Sequence, residues 1–482
     1  MSKILMVSSE AAPFAKTGGL ADVVGALPAA LARGGDDVAV VLPRYGSIAL
    51  DGLRRVWERL PIGVGPNFFL ADVWRLDRAG VANFFVDVPW LYDRGGLYGN
   101  KKGDFGDNQI RFGALCQAAI GVARHLFKTD VFHVHDWQAG LLPVYLKTNF
   151  DCDPTFFGVK TVLTIHNLGY QGIIARTDLK LLGLEDSMFR PDMMEFYGNA
   201  SLLKGGMVMA DALTTVSRAY AKEIQTSEYG FGLDGLLRTR AGDLTGILNG
   251  VDYSEWSPET DSNLAAQYSA ANLKGKLECK RDLLAEFNLG VDAMDRPLIG
   301  IVSRFASQKG FDLIEQISQD LMAEDVTLIA LGTGEQKYED MFRGLAHYFP
   351  GKAAVRVAYD DGLAHKIEAG ADMFLMPSRY EPCGLNQIYS LRYGTVPVVR
   401  ATGGLDDTID AENGFKFQEY SGRALMNAIR QAIDCWRDRD GWTEMMRRGM
   451  ARDFSWDASA AEYSALYKRL LREPKLLYGR DI

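Results

Sequence analysis

The feature that most constrains the fold is an alternation of short apolar runs with helical patterns, which occurs twice along the chain. In the first half, buried-strand patterns fall at 4–8, 38–42, 130–134, 159–165 and 212–216, with helical patterns at 20–33, 141–146 and 201–209. In the second half, strand patterns fall at 298–302, 326–331, 354–357, 373–376 and 396–399, with helical patterns at 312–321 and 362–369. Each half predicts a parallel sheet with helices on both faces.

The chain is therefore expected to have an α/β fold of two Rossmann-like, doubly wound domains that face each other across a cleft. Its 482 residues exceed the size at which a single core keeps growing. The polar segment 238–243 is the predicted linker, which gives an N-terminal domain of residues 1–241 and a C-terminal domain of residues 242–455. The strand at 244–248 is expected to open the second sheet.

Residues 456–482 form a separate C-terminal segment that begins with an amphipathic helix. Ser459 and Glu462 are spaced as a capping box. One helical face is apolar and carries Tyr463, Leu466, Tyr467, Leu470 and Leu471. That face must be buried, either on the helix's own domain or by bridging back to the first domain.

Composition excludes several classes of partner. The formal net charge of −9 argues against binding to nucleic acid or to an anionic membrane, because both need a basic surface. No stretch approaches the roughly 18 consecutive apolar residues of a membrane span. The N-terminus lacks a leader pattern, and the five cysteines contain no C-x-x-C. We therefore expect a cytoplasmic protein with reduced thiols; the sequence does not indicate an oligomeric state.

The stretch 378–387, S-R-Y-E-P-C-G-L-N-Q, connects a predicted strand to a predicted helix. In a parallel sheet such a turn lies at the carboxyl edge, where α/β folds bind ligands. Glu381 supplies a carboxylate, Cys383 a small polarisable side chain, and Gly384 a backbone that a ligand can approach closely. Taken alone, this turn is equally well explained as a capped helix start.

Basic and glycine-rich turns follow other strands. Lys16 precedes Gly18 and Gly19 after the first strand, in a sequence that is neither a P-loop nor G-x-G-x-x-G, so a phosphate site and a flexible turn both remain open. Arg304 and Lys309 follow a strand of the second half. An arginine fork and a lysine point charge are a common pair for a diphosphate.

A histidine-rich cluster follows two strands of the first half. His133 and His135 point to one face of their strand, so a metal site with Asp136 and His166 is conceivable, although core and supporting histidines are the commoner interpretation. The polar residues of the cluster lie beside the aromatic ring of Trp137. That combination suits a ligand rich in hydroxyl groups.

Seven motifs together resemble a known family: K-T-G-G-L, H-D-W-Q-A-G-L, T-I-H-N-L-G-Y-Q-G, N-G-V-D-Y-S-E-W-S-P, S-R-F-A-S-Q-K-G-F-D, S-R-Y-E-P-C-G-L-N-Q and A-T-G-G-L-D-D-T. They resemble, in order, the bacterial glycogen synthases and plant starch synthases. The resemblance implies a GT-B arrangement of two Rossmann-like domains, with a final helix that crosses back to the first. It also implies transfer of glucose from ADP-glucose to the nonreducing-end 4-hydroxyl of an α-1,4-glucan, with retention of configuration.

The resemblance also implies roles for individual residues. It implies catalytic roles for Glu381, His166, Asp136, Arg304 and Lys309. Donor binding is implied for Lys16, Gly18, Gly19, Asn249, Arg304, Lys309, Tyr359, Cys383, Gly384, Leu385 and Asn386. Acceptor binding is implied for Asp136, Trp137, Asn167 and Tyr98.

ADP-glucose and the glucan are substrates in this account, and neither a cofactor nor a metal is expected. The chain departs from many related transferases at Tyr389, where they carry a glutamate that binds the ribose, so the ribose contact stays open. Two alternatives remain. The chain could be a transferase of the same fold that uses UDP-glucose as donor or a small sugar as acceptor, or it could be a catalytically weak glucan-binding protein. The intact set of Lys16, Arg304, Lys309 and Glu381 argues against the last of these, and the absence of G-x-G-x-x-G argues against a dehydrogenase.

Overall fold

The computed structural model describes residues 1–472. The strands are β1 (Lys3–Val7), β2 (Asp37–Pro43), β3 (Arg54–Val64), β4 (Asn67–Arg78), β5 (Val81–Asp87), β6 (Gly99–Asn100), β7 (Gly103–Asp104), β8 (Val131–His135), β9 (Lys160–Ile165), β10 (Ile173–Ile174), β11 (Glu195–Phe196), β12 (Asn199–Ser201), β13 (Ala212–Thr215), β14 (Leu244–Gly246), β15 (Leu298–Val302), β16 (Thr327–Gly332), β17 (Ala353–Val357), β18 (Met373–Met376), β19 (Val396–Arg400) and β20 (Phe415–Phe417).

The α-helices are α1 (Gly19–Arg33), α2 (Pro89–Tyr92), α3 (Asn108–His125), α4 (Asp136–Ala139), α5 (Leu141–Lys147), α6 (Asp178–Leu181), α7 (Leu202–Met209), α8 (Arg218–Glu223), α9 (Asp234–Thr239), α10 (Lys274–Glu286), α11 (Phe311–Ala323), α12 (Gln336–Tyr348), α13 (Asp361–Gly370), α14 (Asn386–Arg392), α15 (Gly403–Thr408), α16 (Gly422–Arg437), α17 (Arg439–Met450) and α18 (Trp456–Arg472). Single 3₁₀ turns lie at Pro154–Phe156, Asp186–Met188, Val291–Asp295 and Ser307–Lys309. Among residues 1–472, no helix has both the length and the apolar character that a membrane crossing requires.

The chain divides into two compact units. The first contains Met1–Val216, Ala221–Gly250 and helix α18, and the second contains Ser217–Tyr220 and Val251–Ser455. The first unit thus continues beyond the predicted boundary at 241/242, and the predicted linker 238–243 lies inside it. The last ten residues of the predicted C-terminal segment lie outside the described part of the chain.

The prediction that 244–248 opens the second sheet was wrong. Strand β14 pairs in parallel with β13, with Leu244 opposite Leu213, and forms the edge of the first sheet. Its three residues are all only partly buried. A short, half-exposed strand is typical of a sheet edge, which explains why its apolar residues alone did not identify the sheet to which it belongs.

The first sheet has nine strands in the order β14-β13-β9-β8-β1-β2-β5-β4-β3. Strands β14 to β5 are parallel, and β1 is an apolar run with four of its five residues buried, as expected for a central parallel strand. Beyond β5, strands β4 and β3 extend the sheet as an antiparallel meander. Their mixture of exposed and buried residues fits an edge with one face in water.

Helix α18 packs on the first unit. Of the two predicted positions, the structure therefore has the one in which the helix returns to the first domain. The hydroxyl of Tyr467 lies 2.7 Å from Nδ1 of His133, and Oγ of Ser464 donates to Oδ2 of Asp36 at 2.8 Å. Both contacts join the helix to residues more than 300 positions earlier in the sequence. The amphipathic face is therefore buried against the first sheet's own elements.

Two details of that helix differ from prediction. The capping box is absent, because the helix begins at Trp456 and Ser459 lies within it; Oγ of Ser459 donates instead to the carbonyl of Leu248 at 2.6 Å. Leu471 is 38% exposed and lies at the margin of the buried face. The other four residues of the predicted face are buried.

The second sheet has six parallel strands in the order β17-β16-β15-β18-β19-β20. Hydrophobic clusters cover both of its faces; one is built from α11, α12, α16 and α17, the other from α10 and α13. The predicted α/β class, with two doubly wound parallel sheets, is confirmed. Each sheet carries a carboxyl edge on which loops of one unit converge.

Candidate active site

Each sheet has one point at which the strand order reverses. In the first sheet, β1 pairs with β2 on one side and with β8 on the other; in the second, β15 pairs with β16 and with β18. The loops that leave two such strands diverge to opposite faces and open a crevice at their carboxyl ends, where α/β folds bind ligands. Lys16, Asp136, Arg304, Lys309 and Glu381 are among the predicted site residues that follow these strands.

In the second unit, the structure brings Glu381 and Lys309 together. Nζ of Lys309 lies 2.6 Å from Oε2 of Glu381, and Oγ of Ser378 donates to the same oxygen at 3.1 Å. Glu381 is only 6% exposed, so the ion pair sets its orientation in a largely water-free place. Arg304, in the loop that carries Lys309, is exposed to solvent.

Close backbone packing joins the two loops. Gly310 has φ 74°, and a β-carbon there would lie 1.9 Å from the carbonyl oxygen of Pro377. The amide of Arg379 donates to the carbonyl of Gln308 at 2.8 Å. The loop after β15 therefore rests directly on the loop after β18, which keeps Lys309 beside Glu381.

The rest of the predicted donor turn is also tightly held. Cys383 is buried, and a β-carbon on Gly404 would lie 2.0 Å from the carbonyl oxygen of Cys383. Nδ2 of Asn386 donates to the carbonyl of Val302 at 2.7 Å, which fixes that side chain to the end of β15. Within residues 1–472, no protein group accepts a hydrogen bond from the amides of Gly384 or Leu385.

Two tyrosines of the second unit, Tyr359 and Tyr389, differ in how accessible their rings are. Tyr359 follows β17 and is 83% exposed, so its ring is accessible to a planar ligand. Tyr389 stacks on Trp256, with ring centroids 4.0 Å apart and planes 8° from parallel. Tyr389 thus has a packing partner of its own within the second unit.

In the first unit, sequence reasoning missed Glu10, which organises the loop after β1. Its carboxylate accepts from Oγ1 of Thr17 at 2.6 Å, from the amide of Gly18 at 3.3 Å, and from the hydroxyl of Tyr98. Glu10 is buried, and Nζ of Lys16 lies 2.7 Å from Asp22. A carboxylate placed three residues after an apolar strand was the available signal.

Asp136 and His166 are also brought together. The amide of His166 donates to Oδ1 of Asp136 at 2.7 Å. Burial raises the pKa of Asp136 to about 7, although the backbone amides of His166 and Asn167 act in the opposite direction. Asp136 has φ 54°, an uncommon value for a residue other than glycine.

The rings of His133, His135 and His166 lie in a row. Nδ1 of His135 lies 3.0 Å from Nε2 of His166, and burial lowers the pKa of both rings, to about 3 for His166. Both ring nitrogens of His133 are occupied, Nε2 by Thr164 at 2.6 Å and Nδ1 by Tyr467. His133 is accordingly a core residue, and neutral His166 is the end of the row nearest Asp136.

The remaining predicted residues of the first unit line the same edge. Trp137 is half-buried and meets Phe112 edge-on, with ring centroids 5.2 Å apart. Oδ1 of Asn167 accepts from the amide of Gly169 at 3.0 Å. Asn249 follows β14 and is buried, and its Oδ1 has no hydrogen-bond partner in the described part of the chain.

Comparison with known proteins matches both units. Residues 3–239 match the model of the starch synthase catalytic domain, and residues 288–448 match glycosyl transferases group 1. The chain is 52% identical to a glycogen synthase of Koribacter versatilis over 476 residues, which cover 97% of this chain and 98% of the relative. The chain belongs to the glycogen and starch synthase family. A glycogen synthase of Syntrophotalea carbinolica is 44% identical over 97% of this chain and 98% of its own.

Solved structures agree with membership of the glycogen and starch synthase family. The catalytic domain of starch synthase IV from Arabidopsis thaliana, bound to ADP and acarbose, has a TM-score of 0.89 and 31% identity, covering 98% of this chain and all of that one. Sucrose-phosphate synthase from Thermosynechococcus elongatus shares the fold alone, with a TM-score of 0.62 and 17% identity over 98% of this chain and 99% of its own. The predicted family, the GT-B fold and the glycosyltransferase class are confirmed.

Proposed function

We propose that this chain transfers glucose from ADP-glucose to the nonreducing-end 4-hydroxyl of an α-1,4-glucan, with retention of configuration. The observation that supports the proposal most strongly is the ion pair of half-buried Lys309 with buried Glu381 at the switch point of the second sheet, with Arg304 in the loop that carries Lys309. A carboxylate for sugar hydroxyls and two cations for a diphosphate are the groups that a sugar-nucleotide donor needs.

The cations would act on the leaving group. When the glucose–phosphate bond breaks, negative charge builds up on the departing diphosphate, and Arg304 and Lys309 would neutralise it. The amides of Gly384 and Leu385 would donate to the same oxygens. Preorganised donors of this kind act where charge develops, and loss of one typically lowers the rate by about 10²–10³. Cys383 and Asn386 would support this turn by packing and by the bond to Val302.

Glu381 would hold the donor glucose rather than attack it. Its Oε2 already accepts from Ser378 and pairs with Lys309, which makes the carboxylate a stabilised acceptor for sugar hydroxyls and a weak nucleophile. The proton of the acceptor 4-hydroxyl would pass to an oxygen of the departing phosphate. We therefore favour transfer on the front face, with neutral His166 beside the anomeric carbon, over a covalent glycosyl-enzyme.

Residues of the first unit would complete donor binding and hold the acceptor. Lys16 and the amides of Gly18 and Gly19 would meet the phosphates and the glucose, on a loop that Glu10 fixes. Asn249 and Tyr359 would flank the nucleotide.

On the acceptor side, Asp136 and Asn167 would bind hydroxyls, and Trp137 would stack on a sugar ring. The hydroxyl of Tyr98 is bonded to Glu10 and lies 2.8 Å from Oγ of Ser9, so Tyr98 would meet the acceptor through its ring.

Because Arg304 and Lys309 supply the positive charge, we propose that transfer needs no metal ion. Transfer rates should be unchanged when the purified enzyme is assayed with excess EDTA. Restoration of a lost rate by Mg²⁺ or Mn²⁺ after such treatment would contradict this point. The cytoplasmic location stays a prediction.

One experiment tests the function and its alternatives. The pure protein is incubated with labelled ADP-glucose or labelled UDP-glucose, without acceptor, with glycogen or with a small sugar; incorporation into each acceptor is followed, and binding to glycogen is measured separately. We expect glycogen-dependent incorporation from ADP-glucose. Incorporation from UDP-glucose alone would change the donor, transfer to a small sugar alone would change the acceptor, and glucan binding without transfer from either donor would indicate a lectin.

A further inference from the structure

Two carboxylates and a histidine of the second unit converge outside the site described above. Glu255 lies in the segment between β14 and α10, Asp361 begins α13, and His365 lies one helical turn further along α13. Two carboxylate oxygens and one ring nitrogen of these side chains all lie within 4.8 Å of one another. Residues four positions apart on a helix share a face, which is why Asp361 and His365 meet.

His365 is the buried member of this group. Its side chain is only 3% exposed, whereas that of Asp361 is 64% exposed. Nε2 of His365 lies 4.0 Å from Oδ2 of Asp361, which is beyond hydrogen-bond distance. Within residues 1–472, the hydrogen bonds of His365 are made by Nδ1, and Nε2 makes none. A ring nitrogen of a buried side chain that faces a carboxylate without bonding to it calls for a partner between the two.

The other ring nitrogen of His365 is fixed by a buried aspartate. Nδ1 lies 2.7 Å from Oδ2 of Asp261, and the hydroxyl of Tyr393 donates to the same oxygen at 2.6 Å. The amide of Asn263 donates to Oδ1 of Asp261 at 2.9 Å. A carboxylate that accepts on both oxygens places the ring proton on Nδ1, so the neutral ring has its lone pair on Nε2. Histidines that bind metals have this arrangement, in which the second ring nitrogen donates to a carboxylate.

Stacked aromatic rings hold the imidazole of His365 in place. The ring of Trp256 lies against it, with centroids 3.7 Å apart and planes 12° from parallel. Trp256 also stacks on Tyr389, with centroids 4.0 Å apart. Because Trp256 directly follows Glu255, one short segment both orients the imidazole and supplies a carboxylate. A side chain that is already oriented loses little conformational freedom when it binds a ligand.

We propose that Glu255, Asp361 and His365 form a binding site for a divalent metal ion of the zinc class. Zn²⁺ accepts imidazole nitrogen and carboxylate oxygen at about 2.0–2.2 Å, and a water molecule completes its tetrahedral shell. The ligand atoms of such an ion lie roughly 3.4 Å apart, so the two exposed carboxylates rotate inward by roughly 1 Å when the ion binds. The imidazole favours Zn²⁺ over Mg²⁺, which prefers oxygen ligands.

The ion at this site is structural. It ties the segment before α10 to helix α13, and it therefore stabilises the folded second unit. None of its ligands has a role in the proposed transfer, so the site is compatible with a reaction that EDTA does not slow.

The test measures ion binding by the full chain in the absence of any substrate. Protein that has been freed of metal by EDTA and dialysis is titrated with ZnCl₂ or MgCl₂ by calorimetry, and its melting temperature is followed. Asp361→Asn and Glu255→Gln each replace an exposed carboxylate by an amide of the same size. Asp440→Asn is the matched control, because Asp440 and Asp361 are both exposed aspartates in the first turn of a helix of the second unit.

We expect each of the two ligand variants to bind Zn²⁺ about 10-fold or more weakly than the wild type, while the control binds it with wild-type affinity. At free Zn²⁺ about 100-fold above Kd, the melting temperature of the wild type and of the control should rise by about 5 °C. The two ligand variants should lose this rise, and the same concentration of MgCl₂ should not produce it in any of the proteins.

Three results would overturn the site. Equal Zn²⁺ affinity in the wild type, the two ligand variants and the control would show that other groups hold the ion. A wild type without saturable Zn²⁺ binding would exclude the site directly. Equally tight binding of Mg²⁺ and Zn²⁺ would show that His365 is not a ligand, because its imidazole is the group that distinguishes the two ions.

Discussion

At the scale of single residues, a substitution of Lys16 distinguishes a catalytic role of this side chain from a structural one. Its side chain is 48% exposed and paired with Asp22, and such surface pairs contribute about 0–1 kcal/mol. If it binds the donor phosphates, Lys16→Ala should lower kcat/KM by about 10²-fold or more while the melting temperature changes by only about 2–4 °C.

Lys366→Ala is the matched control for that measurement, because Lys366 also forms a lysine–aspartate pair, at 3.0 Å from Asp282. This variant should show the same small change in melting temperature and normal kcat/KM. Near-normal turnover in Lys16→Ala, or an equal loss of activity in the control, would contradict a phosphate role for Lys16.

Asp136 should give the protein a pH-dependent stability. Burial raises its pKa to about 7, well above the value in an unfolded chain, so the native state holds a proton that the unfolded state has lost. The contribution of Asp136 to stability is therefore complete below about pH 4 and is lost as pH rises to about 7, by at most about 1.4 kcal/mol per pH unit.

Denaturant unfolding of the wild type and of Asp136→Asn between pH 5 and pH 8 measures this effect. Relative to the wild type, the variant should gain in free energy of unfolding as pH rises to about 7, and the difference should then level off. A difference that is independent of pH would show that Asp136 is ionised throughout this range.

At the scale of elements, the contact between the loops after β15 and β18 depends on Gly310. Its φ is 74°, and a β-carbon would lie only 1.9 Å from the carbonyl oxygen of Pro377, so there is no space for a side chain. Gly351 has a similar φ of 80° with nothing within 4 Å. Alanine at either position incurs the backbone cost of about 1–2 kcal/mol, but only Gly310→Ala adds an overlap of about 1–3 kcal/mol.

Urea unfolding of both alanine variants isolates that steric term. Gly310→Ala should be the less stable of the two, and it alone should lose transfer activity, because Lys309 can no longer sit beside Glu381. Equal stability of the two variants would mean that the loops are not packed as described.

Helix α18 is held to the first sheet by the bond between Tyr467 and Nδ1 of His133. Tyr467→Phe leaves that buried nitrogen without a partner, which should lower the free energy of unfolding by about 1–3 kcal/mol. Tyr348→Phe removes a hydroxyl from a residue that is 76% exposed and should have almost no effect. Similar urea midpoints for the two variants would contradict the docking of α18 through His133.

Strands and helices with a strong hydrophobic pattern could be predicted from the sequence. Elements whose place depends on the neighbour that they pair with or pack against could not. The predicted bounds of strand β15, 298–302, match the structure, because a short buried apolar run indicates a strand where strands and helices alternate along the chain. Strand β14 was assigned to the wrong sheet, because the sequence of three half-buried residues does not show which strand they pair with. Ser459 was interpreted as a cap because its spacing to Glu462 is right, whereas the helix had already begun at Trp456.

At the scale of the whole molecule, the turns that carry most of the predicted site residues could be placed at the carboxyl ends of parallel strands, because that position follows from the alternation of strands and helices. The pairing of Lys309 with Glu381 lay beyond local sequence patterns, because their positions differ by 72 residues and meet only when β15 and β18 are neighbours. Glu10 was missed for a related reason: its position after an apolar strand was a signal for the carboxyl edge, but the hydrogen bonds that it accepts from Thr17 and Gly18 form only in the folded loop.

We propose that this chain uses a nucleotide-activated glucose to make an α-1,4 linkage with retention of configuration. The most direct test supplies ¹³C-glucose-labelled ADP-glucose with maltotriose and reads the new anomeric signal by NMR. We predict maltotetraose with an α-linked labelled glucose on the 4-hydroxyl of the nonreducing end. A β-linked product, or the absence of any transfer from ADP-glucose, would contradict it.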